Sequence, residues 1–264
     1  GISMNLNLSS QIVLNTIPEQ FYRPRTAVER SEITRAEKMP TELFTSVDEG
    51  AAHIADAIEK TIRLKADKGQ NCILGLGTGI SLTPIYDELV RRHHECGLSF
   101  RNVIVFNAYE YYPLTPDAAH SSITQLRERL LSRVNINPNN VFTPDGTIAQ
   151  DKVQAYCRQY EQRIKGMGGI DIMLLGIGRL GNIATNEPGS ALSSTSRIIL
   201  LDHTSREEMT MSFGSETPVP PCSITMGIQT ILQARKIFLT AWGESKADII
   251  CRAIEGQMTD ALPA

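Results

Sequence analysis

The chain has 264 residues, 41% of them hydrophobic and 21% charged, with a formal net charge of −3. That suits one large α/β domain or two small ones with a sizeable core. The weak negative balance speaks against a general nucleic-acid or membrane-surface binder. No run of about 18 apolar residues is present to cross a bilayer, and "GISMNLNLSSQ" lacks the basic and apolar regions of a secretory leader. Cys72, Cys96, Cys157, Cys222 and Cys251 are scattered, odd in number and never spaced C-x-x-C. They read as reduced thiols of a cytoplasmic protein. "HHEC" at 93–96 sits on the polar end of a predicted helix with no partner motif, so no metal is expected there.

Residues 1–45 are polar, with few apolar anchors, and read as an N-terminal arm preceding a single domain over 46–264. From Ser46, apolar residues at 51, 54, 55, 58 and 62 predict a helix. Ser46 is its N-cap, and Glu49 three residues on completes a capping box. "NCILGLG" (71–77) is a short apolar run ending in glycines, a buried strand. "SLTPIYDELVRRHHECG" predicts a helix that stops at Gly97, and "NVIVFNA" (102–108) a second strand. "SSITQLRERLLSRV" reads as a helix before the turn "NINPNN", and "DKVQAYCRQYEQRIKGMGG" as a helix with a glycine stop. "IDIMLLGIG" (170–178) is the most hydrophobic strand. "RIILLD" (197–202) and "KIFLTAWG" (236–243) predict further strands, "ITMGIQTILQA" and "ESKADIICRAIEG" further helices.

Apolar strands alternating with helices imply an α/β fold. We expect one doubly wound, Rossmann-like domain with a mostly parallel central sheet and helices on both faces. Ligands of such sheets bind beyond the carboxyl ends of the strands. Three strand-following loops should converge there: "GLGTGIS", "FNAYEYY" and "GIGRLGNIATNEP". In the first, Gly75, Gly77 and Gly79 let the backbone turn sharply, while Thr78, Ser81 and the helix start favour an anion. The spacing is neither the dinucleotide-binding G-x-G-x-x-G nor a Walker loop. Lys246 follows the last strand at the start of the predicted final helix. A bound phosphate would account for a cation there, and so would plain solvent exposure.

Taken together, "LGLGTGIS", "LSFRNVIVFNAYEYYPL", "LLGIGRLGNIATNEPGSAL", "VPPCSITMGIQTILQARKIFLTAWGESKA" and "AIEG" resemble, in order, the glucosamine-6-phosphate deaminase (isomerase) family, whose fold 6-phosphogluconolactonases share. That family opens the sugar ring, moves a proton between C2 and C1 and releases ammonia. The resemblance implies a sugar phosphate held by Gly77, Thr78, Gly79, Ser81 and Lys246. A second phosphate cation of the family falls near Thr210, and Arg206 could take its part. Ser190 and Arg197 match a regulatory site of some members. The resemblance implies no metal or organic cofactor and a small-molecule partner, and it leaves monomer and homo-oligomer equally open.

The catalytic positions depart from the family pattern. Tyr109 stands where the family has its base aspartate, Asn182 where it has the ring-opening histidine, and Leu180 where it has an acid or amide. Glu110 and Glu187 follow the pattern. A phenol titrates near about 10, so acting as a base at neutral pH would cost roughly 4 kcal/mol, and a neighbouring Glu110 carboxylate would oppose it. Loss of one general acid–base group costs about 10²–10⁴ in rate. Three readings follow: an enzyme of this family with a relocated acid–base set drawn from His120, His203, Glu110 or Glu187; a catalytically inactive sugar-phosphate sensor or regulatory paralogue; and a phosphosugar lactone hydrolase, which Asn182 disfavours. Tyr109, Tyr111 and Tyr112 could stack on a sugar face or fill the core, and Trp242 reads as core.

Overall fold

A computed structural model describes residues 41–178, 180–214, 218–242 and 249–255. Ten strands and six α-helices are found among them. β1 (Thr41–Leu43) precedes α1 (Val47–Asp67), β2 (Cys72–Leu76), α2 (Thr83–Cys96), β3 (Val103–Asn107) and β4 (Tyr109–Tyr112). α3 (Ser122–Arg129), β5 (Val141–Phe142), α4 (Val153–Gly166), β6 (Ile172–Gly176) and β7 (Arg197–Leu200) follow. α5 (His203–Phe213), β8 (Cys222–Thr225), α6 (Ile228–Leu232), β9 (Lys236–Trp242) and β10 (Ile249–Glu255) complete the order.

The main sheet runs β1-β10-β9-β6-β2-β3-β5. Its five strands from β9 to β5 are parallel, so the fold is α/β with a mostly parallel central sheet, as expected. Alternation along the buried strands divides the core in two. Leu74, Leu76, Val103, Val105, Ile172 and Leu174 face α1, α2 and α3, packing on Ile54, Ile58, Ile85, Leu89 and Leu126. Ile73, Phe106, Met173, Leu175, Ile237 and Leu239 face the other way, against Tyr160 and Ile164 of α4 and Ile231 of α6. Ser46 caps α1 as read, but Glu49 does not close the expected box onto the Ser46 amide. Ser46 Oγ accepts from Glu49 N (3.1 Å), while the Glu49 carboxylate accepts from Thr45 Oγ1 (2.6 Å). α2 ends on Gly97 at φ +69°.

Other elements differ from the sequence reading. β4, β8 and β7 form a separate three-stranded antiparallel sheet. "RIIL" therefore leaves the parallel sheet, "YEYY" is a strand rather than a loop, and "ITMG" opens as the end of β8. Only Ile228–Leu232 of the predicted helix "ITMGIQTILQA" is helical. The largest correction is at the end of the chain. Within the predicted helix "ESKADIICRAIEG", 249–255 is β10, paired antiparallel to β9 along its whole length and to β1 on its other side. A short apolar run carries both a helical and a strand period, and long-range pairing decides between them. Residues 1–40, most of the expected arm, lie outside the described residues, as does Lys246.

At the amino end of β6, Asp171 is 4% exposed. It accepts from Ile73 N (2.8 Å) and Arg235 Nη1 (2.6 Å), with Lys65 Nζ 3.5 Å away. It thereby ties β2, β6, α1 and the entry to β9. Asp171→Ala leaves that amide and the guanidinium without their acceptor. We expect a loss of about 3 kcal/mol, read as a lower urea midpoint at unchanged slope.

Candidate functional site

β2 is buried throughout and ends at the glycine loop. Gly77 N donates to Leu174 O (3.0 Å), which keeps the loop's first residue in the ladder beside β6. A side chain at Gly77 would meet Leu175 Cδ2 at 2.9 Å and would have to displace that side-chain tip. Gly79, at φ +155°, turns the chain into the short 3₁₀ turn Ile80–Leu82 that leads into α2. The Gly79 carbonyl accepts from Leu82 N (3.1 Å) and from Arg129 Nη1 at the end of α3 (2.9 Å). Tyr86 OH donates to Gly77 O. Thr240 Oγ1 of β9 donates to Ser81 Oγ (3.0 Å), which leaves the Ser81 proton able to reach a ligand. The loop thus offers hydroxyls and a helix start at the carboxyl end of the sheet, an arrangement suited to an anion.

Beside this loop lies an open cleft of about 880 Å³, lined by Gly77–Ser81, Tyr109, Leu175–Gly178, Asn182 and Ala184. All three sequence-identified loops contribute to it. Gly77, Thr78, Gly79, Ser81, Tyr109 and Asn182 are brought together there. Tyr109 OH and Thr78 Oγ1 are 2.7 Å apart, and the Tyr109 ring meets Tyr111 edge-on at 5.6 Å. Burial pushes the Tyr109 phenol up, outweighing its hydrogen bonds to Thr78 and Tyr111. It therefore stays protonated at neutral pH.

Asn182 closes its own loop. Its carbonyl accepts from Gly178 N (2.9 Å), its Nδ2 donates to Ala184 O (3.1 Å), and its side chain occupies the space that a Cβ at Gly178 would need. Ala184 is held at φ +53°, a strained conformation for a residue with a side chain. The turn is pinned to the small sheet: Thr185 Oγ1 donates to Ser223 Oγ (2.7 Å) and Asn186 Nδ2 to Met226 O (2.7 Å).

The two family carboxylates lie elsewhere. Glu110, 2% exposed, accepts from Tyr111 N (2.9 Å), Ser122 N (2.9 Å) and Ile123 N (3.2 Å), anchoring the start of α3. Glu187 Oε1 accepts from Asp202 N (3.0 Å) at the N-cap of α5. Arg206 is exposed on α5 and does not line this cleft. Ser190 Oγ donates to Glu187 O (2.7 Å), and Arg197 Nη1 to Asn186 Oδ1 (2.9 Å). Both brace the 186–190 turn, and burial pulls the Arg197 pKa down. His120 stacks on Phe213 (4.6 Å), while exposed His203 pairs with Glu207 (3.1 Å). Among the described residues no cluster of three His, Cys, Asp or Glu side chains could hold a metal, and no helix is long and apolar enough to cross a membrane.

Sequence reasoning missed Ile80, 78% exposed at the cleft, and Arg129. Ile80 was concealed by its neighbours' glycine pattern, and no local signal separates Arg129 from Arg127 or Arg133.

Burial raises the Glu110 carboxyl above its usual range, against the pull of its three amide donors. The folded state therefore keeps the proton that the unfolded chain releases near about 4.3. Stability falls as pH climbs from that value to the raised one and is level above it. Urea midpoints across this window should fall in the native protein and lose this component in Glu110→Gln. Glu110→Ala, which strands three amides, should cost about 3 kcal/mol.

Residues 45–264 match the family of glucosamine-6-phosphate isomerases/6-phosphogluconolactonase. A putative glucosamine-6-phosphate deaminase-like protein of Bacteroides thetaiotaomicron is 56% identical over 261 residues, 99% of this chain. The chain spans only 39% of the length of that relative. A glucosamine-6-phosphate deaminase of Arthrobacter sp. is 43% identical over 202 residues, covering 76% of this chain and 75% of that protein. The solved structure of a monomeric glucosamine-6-phosphate deaminase superposes with a TM-score of 0.69 at 35% identity, covering 74% of this chain and 79% of that one. The cleft at the carboxyl ends of β2 and β6 is thus set in a frame shared with sugar-phosphate enzymes, and the chain belongs to the glucosamine-6-phosphate isomerase/6-phosphogluconolactonase family.

Proposed function

We propose that this chain binds a hexose or hexosamine 6-phosphate in the cleft without deaminating it, as a sensor or regulatory relative of the glucosamine-6-phosphate deaminases. The phosphate lies against Thr78, Gly79 and Ser81, with Lys246 as its cation, and the sugar extends over Tyr109 and Asn182. The single observation that carries the reading is the chemistry of the described lining. Tyr109 is its one titratable side chain, and burial keeps that phenol protonated. Asn182 can donate or accept a hydrogen bond but cannot shuttle a proton, and its amide already holds Ala184 O. Glu110 and Glu187 have backbone amides as partners, and neither is among the described residues lining the cleft.

The same reading makes 46–264 the binding domain and keeps the protein in the cytoplasm. There Cys72, Cys96, Cys157 and Cys222 remain the free thiols seen in the fold.

The decisive experiment runs ammonia release from glucosamine 6-phosphate beside calorimetric titration with hexose and hexosamine 6-phosphates. We expect binding of at least one sugar phosphate, weakened by Lys246→Ala. We expect turnover at least about a hundredfold below the ~10 s⁻¹ of an ordinary enzyme. Turnover above that level would restore the enzymatic reading with a relocated base. Failure of all these compounds to bind would remove the sugar-phosphate reading itself.

A further inference from the structure

The cleft has two unlike sides. The glycine loop supplies hydroxyls and a helix start. The rest of the described lining supplies Tyr109, Leu175, Ile177, Asn182 and Ala184, and Ile80 of the loop is exposed. Among the described residues lining the cleft these groups are aliphatic, phenolic or amide, and none carries charge. The nearest carboxylate in sequence, Glu110, lies one residue from Tyr109 on β4 and so points to the opposite face of that strand. There it is fixed by three amide donors.

A ligand with its phosphate on Thr78–Ser81 has its body against this neutral wall, because Thr78 Oγ1 touches Tyr109 OH. A free amino sugar brings an ammonium group into the cleft. Taking that charge out of water is unfavourable without an anionic partner. An acylated nitrogen is neutral, needs one acceptor for its N–H, and buries its acyl carbons favourably against aliphatic side chains. Resting on the sugar-phosphate reading above, we infer that the cleft selects an N-acylated hexosamine phosphate over the free amine, and that Tyr109 sets this preference.

The test compares N-acetylglucosamine 6-phosphate, glucosamine 6-phosphate and inorganic phosphate by calorimetry on the full chain at one ionic strength. The acylated sugar should bind more tightly than the free amine by about tenfold or more, equivalent to about 1.4 kcal/mol. Raising the pH through the titration of the ligand's amine should strengthen binding of glucosamine 6-phosphate and leave that of the N-acetyl compound unchanged. Tyr109→Asp, checked for an unchanged melting temperature, should reverse or erase the preference, and Tyr109→Phe should keep it. Where Tyr109→Asp does not fold, the native ratio and its pH dependence decide. Equal binding, or tighter binding of the free amine, overturns this inference and leaves the sugar-phosphate reading standing. Binding of neither amino sugar also overturns this inference, and the sugar-phosphate reading falls with it only where the hexose 6-phosphates fail to bind too.

Discussion

The backbone of Ala108 belongs to both sheets. Its N–H donates to Leu76 O of β2 (2.9 Å), and its carbonyl accepts from Met226 N just after β8 (2.8 Å). One residue thus carries the chain from the parallel sheet into the antiparallel one, and Tyr109 follows at the seam. Asn107 on the other side is fully buried and holds Thr143 Oγ1 and Ser122 Oγ. The junction has no slack, because a backbone group left unpaired there would carry the full cost of its desolvation. The side chain at 109 is therefore delivered beside the glycine loop whatever its chemistry. The position outlasts a change of residue, since the backbone specifies the place and the side chain specifies only what is done there.

The contents of the cleft follow the same division. Gly79 meets a backbone requirement, a positive φ, while Gly77 and Gly178 leave room for the Leu175 and Asn182 side chains. These requirements hold with or without a reaction. Proton transfer, by contrast, depends on which side chains stand at 109 and 182, and these can change without disturbing the frame. Tyrosine fits because its ring packs on Tyr111 and its hydroxyl reaches Thr78. Asparagine fits because its amide closes the 178–184 turn. Each replacement adds a local stabilising contact where the resemblance implies a titrating group.

This division also explains what the sequence made legible. The parallel strands β2, β3, β6 and β9 were readable because each is a short apolar run bounded by turn residues, whereas β5, two residues long and only half-buried, was not. The loops at their carboxyl ends were readable because glycine clusters have few other uses. The small antiparallel sheet was not. "YEYY" follows a strand with one residue between, and "RIIL" and "CSIT" are too short to reveal their partners. β10 failed for a related reason: "IICRAIE" satisfies either period, and its neighbours in the sheet, β1 and β9, differ greatly in distance along the chain. Cleft residues carried by pattern were visible. Residues delivered by tertiary approach, such as Arg129 on Gly79 O or Thr240 on Ser81, were not.

The strand pleat limits how an acid–base group could return to this cleft. Glu110 is adjacent to Tyr109, yet alternation puts it on the other face of β4. To enter the cleft it would have to leave three amide donors, two of them at the first turn of α3. α3 ends in Arg129, which holds the Gly79 carbonyl of the glycine loop. Releasing the carboxylate would therefore loosen the glycine loop that borders the cleft. On β4 the positions sharing the face of Tyr109 reduce to Tyr109 itself and Tyr111, and Tyr111 packs on Phe213 at 5.5 Å with its phenol pushed well up by burial. An acidic side chain can enter from this strand only by substitution at those two positions. The carboxylate that the sequence retains beside the site is committed to the fold.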